Sequence, residues 1–124
     1  MRHTLIISGR LDNLNDYITA CRTNQYKGAH LKAKNERKVQ AEIYEQLGRL
    51  RITRPVRMRY RWYEKDRRRD LDNVSSFGRK VIQDALVQTH VIKNDGWKEI
   101  TGFSDEFFVD ADNPRIEVEI EEVT

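Results

Sequence analysis

Between Arg54 and Tyr63 apolar and charged residues alternate: Val56, Met58, Tyr60 and Trp62 fall on one side, Arg57, Arg59 and Arg61 on the other. Successive strand side chains point to opposite faces, so this pattern predicts a half-buried strand over residues 54–63. Residues 115–121 repeat it, with Ile116, Val118 and Ile120 inside and Glu117, Glu119 and Glu121 outside. If the two strands are neighbours, the arginine and glutamate ladders face each other, and each cross-strand pair contributes roughly 0.2–1 kcal/mol. That arrangement removes Arg57, Arg59 and Arg61 from the candidates for binding a polyanion.

The remaining segments change period. Residues 3–8 read as a short strand carrying Leu5 and Ile7 on one face and ending at Gly9. Asn13 is a polar cap before Leu14, Tyr17, Ile18 and Cys21 at helical spacing, which predicts a short helix with Cys21 as a small core residue. After Gly28, the spacing of Leu31, Val39, Ile43, Tyr44 and Leu47 predicts a second helix stopped by Gly48. Beyond Asp72, the apolar stripe Val74, Phe77, Val81, Ile82, Ala85 and Leu86 predicts a third, ending near Gln88 and slightly weakened by Gly78. The stretch Ile92–Ile100 contains Asn94-Asp95-Gly96, a tight turn entering a further strand. Strands and helices in this order indicate a small α+β domain, a mixed β-sheet packed by helices, with residues 1–124 as a single unit.

Composition agrees with a folded chain. Charged residues make up 35% of it, yet the 38% that are apolar fall into periodic segments rather than being diluted along the chain. No apolar run approaches the ~20 residues that span a bilayer, and the apolar stretch in Met1–Gly9 is too short for a signal peptide. A single cysteine excludes an intrachain disulfide and a cysteine-based zinc cluster and suits a reducing compartment. The expectation is a cytoplasmic protein with no membrane association.

The net charge of +3 conceals a strong asymmetry. Residues 51–70 hold nine Arg or Lys against three acids, while 105–122 hold eight acids against Arg115. Lys27, Lys32, Lys34, Arg37 and Lys38 form a second basic patch on the predicted second helix. Clustered basic residues are the electrostatic footprint of nucleic-acid binding, although such runs also serve as solvated faces paired within a fold.

The densest chemistry is in Arg67-Arg68-Arg69-Asp70-Leu71-Asp72-Asn73. In an extended segment Asp70 and Asp72 would project the same way while Leu71 turns into the core. Two carboxylates on one side suit Mg²⁺, which takes oxygen ligands and commonly combines one or two carboxylates with substrate phosphates. The pair lies at a strand-to-helix junction, where the positive helix end favours a bound phosphate. The competing reading is structural: Asp72 or Asn73 caps the helix and Asp70 neutralises a neighbouring arginine. Taken alone, Asp95 is a turn residue.

Taken together, Arg68-Arg69-Asp70-Leu71-Asp72-Asn73, the helix from Lys80 through Asp84 to Leu86, and Ile92-Lys93-Asn94-Asp95 resemble the RusA family of Holliday-junction endodeoxyribonucleases. The resemblance is sharpest over residues 66–100. It implies a homodimer, often prophage-encoded, that uses Mg²⁺ to resolve four-way junctions by paired symmetric nicks in DNA recombination and repair. It also implies an acidic triad of Asp70, Asp72 and Asp95, binding one or two Mg²⁺ per subunit, plus a functional lysine. Family members often place that lysine where this chain has Ser76; reading Ser75–Gly78 as a four-residue insertion assigns the role to Lys80. Arg67, Arg68 and Arg69, with Lys32 and Lys34, are then expected to hold the DNA backbone. Trp97 and Phe103 are expected in the core, the other reading being wedges that open a junction. The alternative function is a non-catalytic nucleic-acid-binding module, which predicts binding without Mg²⁺-dependent turnover.

Overall fold

In the computed structural model, which describes residues 1–123, the chain runs β1 (Arg2–Ser8), α1 (Leu14–Thr23), α2 (Gln25–Leu47), β2 (Val56–Glu64), α3 (Leu71–Gln88), β3 (Ile100–Val109) and β4 (Arg115–Glu122). The strands form one mixed sheet in the order β1-β4-β2-β3. β4 pairs antiparallel with both β1 and β2, whereas β3 runs parallel to β2 along the outer edge. Parallel neighbours require a crossover, and α3 supplies it. The α+β class and mixed sheet expected from the sequence are therefore present.

The alternation read in β2 and β4 sets the register. Arg57 faces Glu121, Arg59 faces Glu119 and Arg61 faces Glu117, while Met58, Tyr60, Trp62, Val118 and Ile120 are buried on the other side. The ion pairs to β4 run diagonally: Arg61 reaches Glu119 at 3.4 Å and Arg2 from β1 meets Glu119 at 2.8 Å, while Arg61 also faces Glu106 of β3 directly at 3.7 Å. The second helix, by contrast, begins before the expected boundary. Asn24 caps it by accepting from the Lys27 amide at 2.8 Å, and Gly28 lies inside it because a Cβ there would come within 2.5 Å of Cys21 Sγ. Cys21 is exposed rather than a core residue. It marks the close approach of α1 and α2 at their joint, not the domain centre.

Asn13 caps α1 reciprocally: its Oδ1 accepts from the Asp16 amide at 2.8 Å, and Asp16 Oδ2 accepts from the Asn13 amide at 2.9 Å. At the other end of the molecule, α3 stops where His90 enters the left-handed region (φ 64°). The Val91 amide then reaches back to the Leu86 carbonyl and the His90 amide to Val87. This hook turns the chain into the loop that carries Asp95.

Candidate active site

Asp70 is the N-cap of α3, with extended backbone (φ −66°, ψ 147°), and Leu71 and Asp72 are already helical. The expectation of an extended Asp70-Leu71-Asp72 segment is thus corrected. Helical residues advance by roughly 100° each rather than alternating, so strand alternation does not set how the two carboxylates lie relative to each other. Leu71 is 58% exposed instead of turning into the core.

The capping role that would make these acids merely structural is also missing. Asp70 makes no side-chain cap hydrogen bond. Asp72 accepts Ser76 Oγ at 2.7 Å through its backbone carbonyl, and among the described residues no side chain bonds its carboxylate. Two acidic side chains thus stand at the positive end of a helix, where that end favours negative charge, without side-chain partners among the described residues. Asp70 also lines a cavity of about 350 Å³ with Glu64, Arg67, Arg69, Leu71 and Phe107.

Farther along α3, Lys80 Nζ lies 3.0 Å from Asp84 Oδ1 and 3.0 Å from Asp95 Oδ2. Asp84 Oδ2 in turn receives Lys32 Nζ at 2.8 Å. An alternating chain of charges, Lys32–Asp84–Lys80–Asp95, therefore ties α2 to α3 and α3 to the loop. Burial opposes ionisation of Asp84, but hydrogen bonds from Lys32 and Lys80 overcome it and hold its carboxyl below the ordinary range. The hydrogen bond to Asp84, followed by that to Asp95, holds the Lys80 ammonium above its usual value. Lys32 is raised chiefly by its bond to Asp84.

The basic residues divide in the same way. Arg69 turns inward: its guanidinium donates to the Leu11 carbonyl at 3.1 Å and lies 3.6 Å from Asp16 and 3.8 Å from Glu64. Arg67 and Arg68 are exposed, Arg68 lying only loosely near Asp66 at 3.7 Å. Lys32 is committed to Asp84 and Glu36, whereas Lys34 is exposed, with Asp12 at the limiting distance of 4.0 Å.

Asp70 and Asp72 suit a hard divalent cation, because both offer carboxylate oxygens that no described side chain engages, and Asp70 faces the cavity. Asp95 instead spends an oxygen on Lys80. Among the described residues, no three His, Cys, Asp or Glu side chains are gathered closely enough to hold a metal together. The structure thus presents a free pair and a separately tethered third acid.

Sequence reasoning valued Asp84 only as part of a motif and missed Asp105 altogether. The Lys80–Asp84 spacing of four was the available signal for the first. Asp105 Oδ1 accepts from Trp62 Nε1 at 2.9 Å and its Oδ2 accepts from Arg79 at 2.6 Å, fastening α3 to β2 and β3. That bond depends on the parallel β2–β3 register, for which the local sequence carries no signal. Trp97 and Phe103, expected in the core, are exposed instead. Trp97 lies in the turn between Gly96 and Ile100, whose backbone bonds close outside the sheet, and Phe103 is on the edge strand.

Among the described residues, no helix is long and apolar enough to cross a membrane. A family model described as endodeoxyribonuclease RusA matches residues 10–121, a span that includes all three helices and each residue of the candidate site. No curated protein matches the chain.

Proposed function

The chain belongs to the RusA family of endodeoxyribonucleases, and on that footing we propose that it is a Mg²⁺-dependent enzyme that resolves four-way DNA junctions by paired nicks in recombination and repair. The observation that carries this reading is the pair Asp70 and Asp72, held at a helix start with no side-chain cap hydrogen bond and no ion pair among the described residues. A capping acid accepts a backbone N–H with its side chain, and Asp70 does not.

Asp70 and Asp72 would hold the cation, with Asp95 as the third ligand once its oxygen is released from Lys80. A divalent cation held there would supply charge neutralisation at the phosphate and Lewis-acid activation of water. In the overall reaction a water oxygen forms a bond to phosphorus and the P–O3′ bond breaks. One proton passes to the leaving 3′-oxygen, giving a 3′-hydroxyl and a 5′-phosphate. Lys80, raised in pKa and therefore cationic at neutral pH, serves to stabilise phosphate charge. Arg67, Arg68 and Lys34 present open cations to the DNA backbone. Arg69 and Lys32 act behind them by holding the scaffold on which the site is built.

One chain offers one such site, while a junction has two-fold symmetry and needs paired cuts to resolve cleanly. A homodimer follows from that requirement. The test is nicking of a labelled four-way junction by wild type, Asp70→Asn and Asp72→Asn, with Mg²⁺ or EDTA and with linear duplex as control. Symmetric junction-selective cuts, lost in EDTA and in either variant, are expected. Tight binding without cuts under every metal condition would replace this reading with a binding module.

A further inference from the structure

The chain has two tryptophans with opposite fates. Trp62 is buried, and its indole nitrogen is bonded to Asp105. Trp97 is 97% exposed, and among the described residues it has neither a ring partner nor a hydrogen bond from its indole. Large aromatics carry the greatest apolar surface of any side chain and are ordinarily covered. This one projects from the turn two residues after Asp95.

Behind Trp97 is a cleft of about 270 Å³, lined by Gln83, Asp95, Ile100, Gly102 and Phe103 together with Trp97 itself. Clefts for drug-sized ligands run roughly 300–1,000 Å³, so this one suits a single planar ring system. Its back wall is rigid. Phe103 sets its edge against Tyr60 and carries the Arg79 guanidinium on its face at 4.4 Å. Gln83 donates to the Tyr60 hydroxyl at 3.0 Å, which fixes its amide and leaves its carbonyl oxygen available to accept from a ligand. At Gly102 a Cβ would come within 2.7 Å of Arg57 Nη1, the free end of an exposed side chain on the charged face of the sheet. Lys93 and Lys98 are exposed on either side of Trp97 in sequence, and Lys80 stands on Asp95. The acids nearby are Asp95 and Asp84, both bonded to Lys80, Asp105, bonded to Arg79, and Glu99, which approaches Gly96.

An exposed aromatic face, a cleft of one ring's size with an amide in its lining, and the exposed Lys93 and Lys98 on the same loop match the chemistry of a nucleobase joined to phosphates. We propose that Trp97 and the cleft behind it take up one unstacked nucleobase of the DNA substrate, positioning the adjoining phosphate at Asp95. Bases inside a duplex have both faces covered, so the ligand is a base at a branch point or strand end. Trp97 acts as a positioning residue that distinguishes branched from linear DNA. This inference rests on the reading of the chain as a DNA-cleaving enzyme.

The test uses a four-way junction carrying 2-aminopurine at the branch point, with EDTA present to prevent cleavage, and compares wild type, Trp97→Ala and Trp97→Phe. Wild type is expected to change the 2-aminopurine emission on binding and to shield Trp97 from acrylamide. Trp97→Ala should lose the 2-aminopurine response and bind the junction about tenfold more weakly, with duplex affinity and melting temperature unchanged, while Trp97→Phe restores part of both. An undiminished 2-aminopurine response in Trp97→Ala overturns the proposal. So does conversion of a wild-type dimer to a monomer by Trp97→Ala, which would make this surface a contact between two copies of the chain. Wild-type nicking is measured in parallel with Mg²⁺. Nicking with a response independent of Trp97 removes only this inference, whereas a Trp97-dependent response without nicking removes the enzyme reading and leaves the base site standing.

Discussion

Lys80 Nζ stands 3.0 Å from Asp95 Oδ2 and makes the direct link between α3 and the loop that carries the third acid. The same ammonium bonds Asp84, so it is oriented from both sides. Lys80→Met keeps the aliphatic stem and removes the charge. Two consequences separate a role on phosphate from a role in holding metal. Nicking should fall at least tenfold at saturating Mg²⁺, since a charged group facing the phosphate is lost. Metal affinity, followed by calorimetry, should stay equal or rise, because Asp95 no longer has a competing cation. Weaker metal binding in Lys80→Met would assign the lysine to assembling the ligand set.

Acid stability should depend on Asp84. Its carboxyl is held below the ordinary value in the folded chain, where lysine hydrogen bonds outweigh burial. The unfolded chain takes up that proton near the usual aspartate pKa of about 3.9, so the stabilisation is complete above that pH and is lost as pH falls through the folded value. Lys32 and Lys80 are raised. Their contribution is complete below about pH 10.4, the unfolded lysine value, and fades as pH rises through the folded ones. Urea unfolding should therefore show a plateau across neutral pH with losses at both ends. Asp84→Asn should lower that plateau by about 1–2 kcal/mol and flatten the acid slope. The share carried by Lys80 is the smaller, because its side chain is 56% exposed.

The strands were legible because burial imposes a period of two, and β2 and β4 display it through paired arginine and glutamate ladders. The α1 cap was legible because Asn13 and Asp16 are a local signal with a local result. What escaped was tertiary. Gly28 reads as a helix boundary until Cys21 is seen against it, and Trp97 reads as core until its turn is placed outside the sheet. At the candidate site, type and spacing singled out the acids but not their geometry, since whether Leu71 begins a helix or continues a strand changes how Asp72 lies relative to Asp70.

The three arginines before Asp70 should separate on mutation. Arg69 holds the Leu11 carbonyl and lies among Asp16 and Glu64, so Arg69→Ala leaves that carbonyl and Asp16 without their cation, Glu64 keeping Arg10, and should cost about 1–3 kcal/mol. Arg67→Ala and Arg68→Ala should alter stability by less than about 0.5 kcal/mol. Each should weaken DNA binding evenly across sequences and reduce the dependence of log affinity on log salt by about one unit. Melting curves and binding isotherms at several salt concentrations check both halves. A stability loss in Arg68→Ala equal to that in Arg69→Ala would overturn the division.

Gly78 is the position where helix propensity and packing disagree most directly. In an isolated helix, alanine is favoured over glycine by about 1 kcal/mol, which argues that Gly78→Ala should stabilise α3. A Cβ at this position, however, would lie 2.9 Å from both Trp62 Cη2 and Trp62 Cζ3. Trp62 has little freedom to move, since it is 2% exposed and its indole nitrogen is tied to Asp105. Asp105 in turn anchors Arg79, the residue after Gly78. Overpacking of this kind costs about 1–3 kcal/mol, so the steric term outweighs the propensity gain. The expected net result is a loss of about 1 kcal/mol, seen as a fall of about 3–6 °C in melting temperature. Because Trp62 is displaced, near-ultraviolet circular dichroism should change as well. A raised melting temperature with an unchanged tryptophan signal would show that Trp62 yields without cost and that the backbone preference of α3 decides its stability.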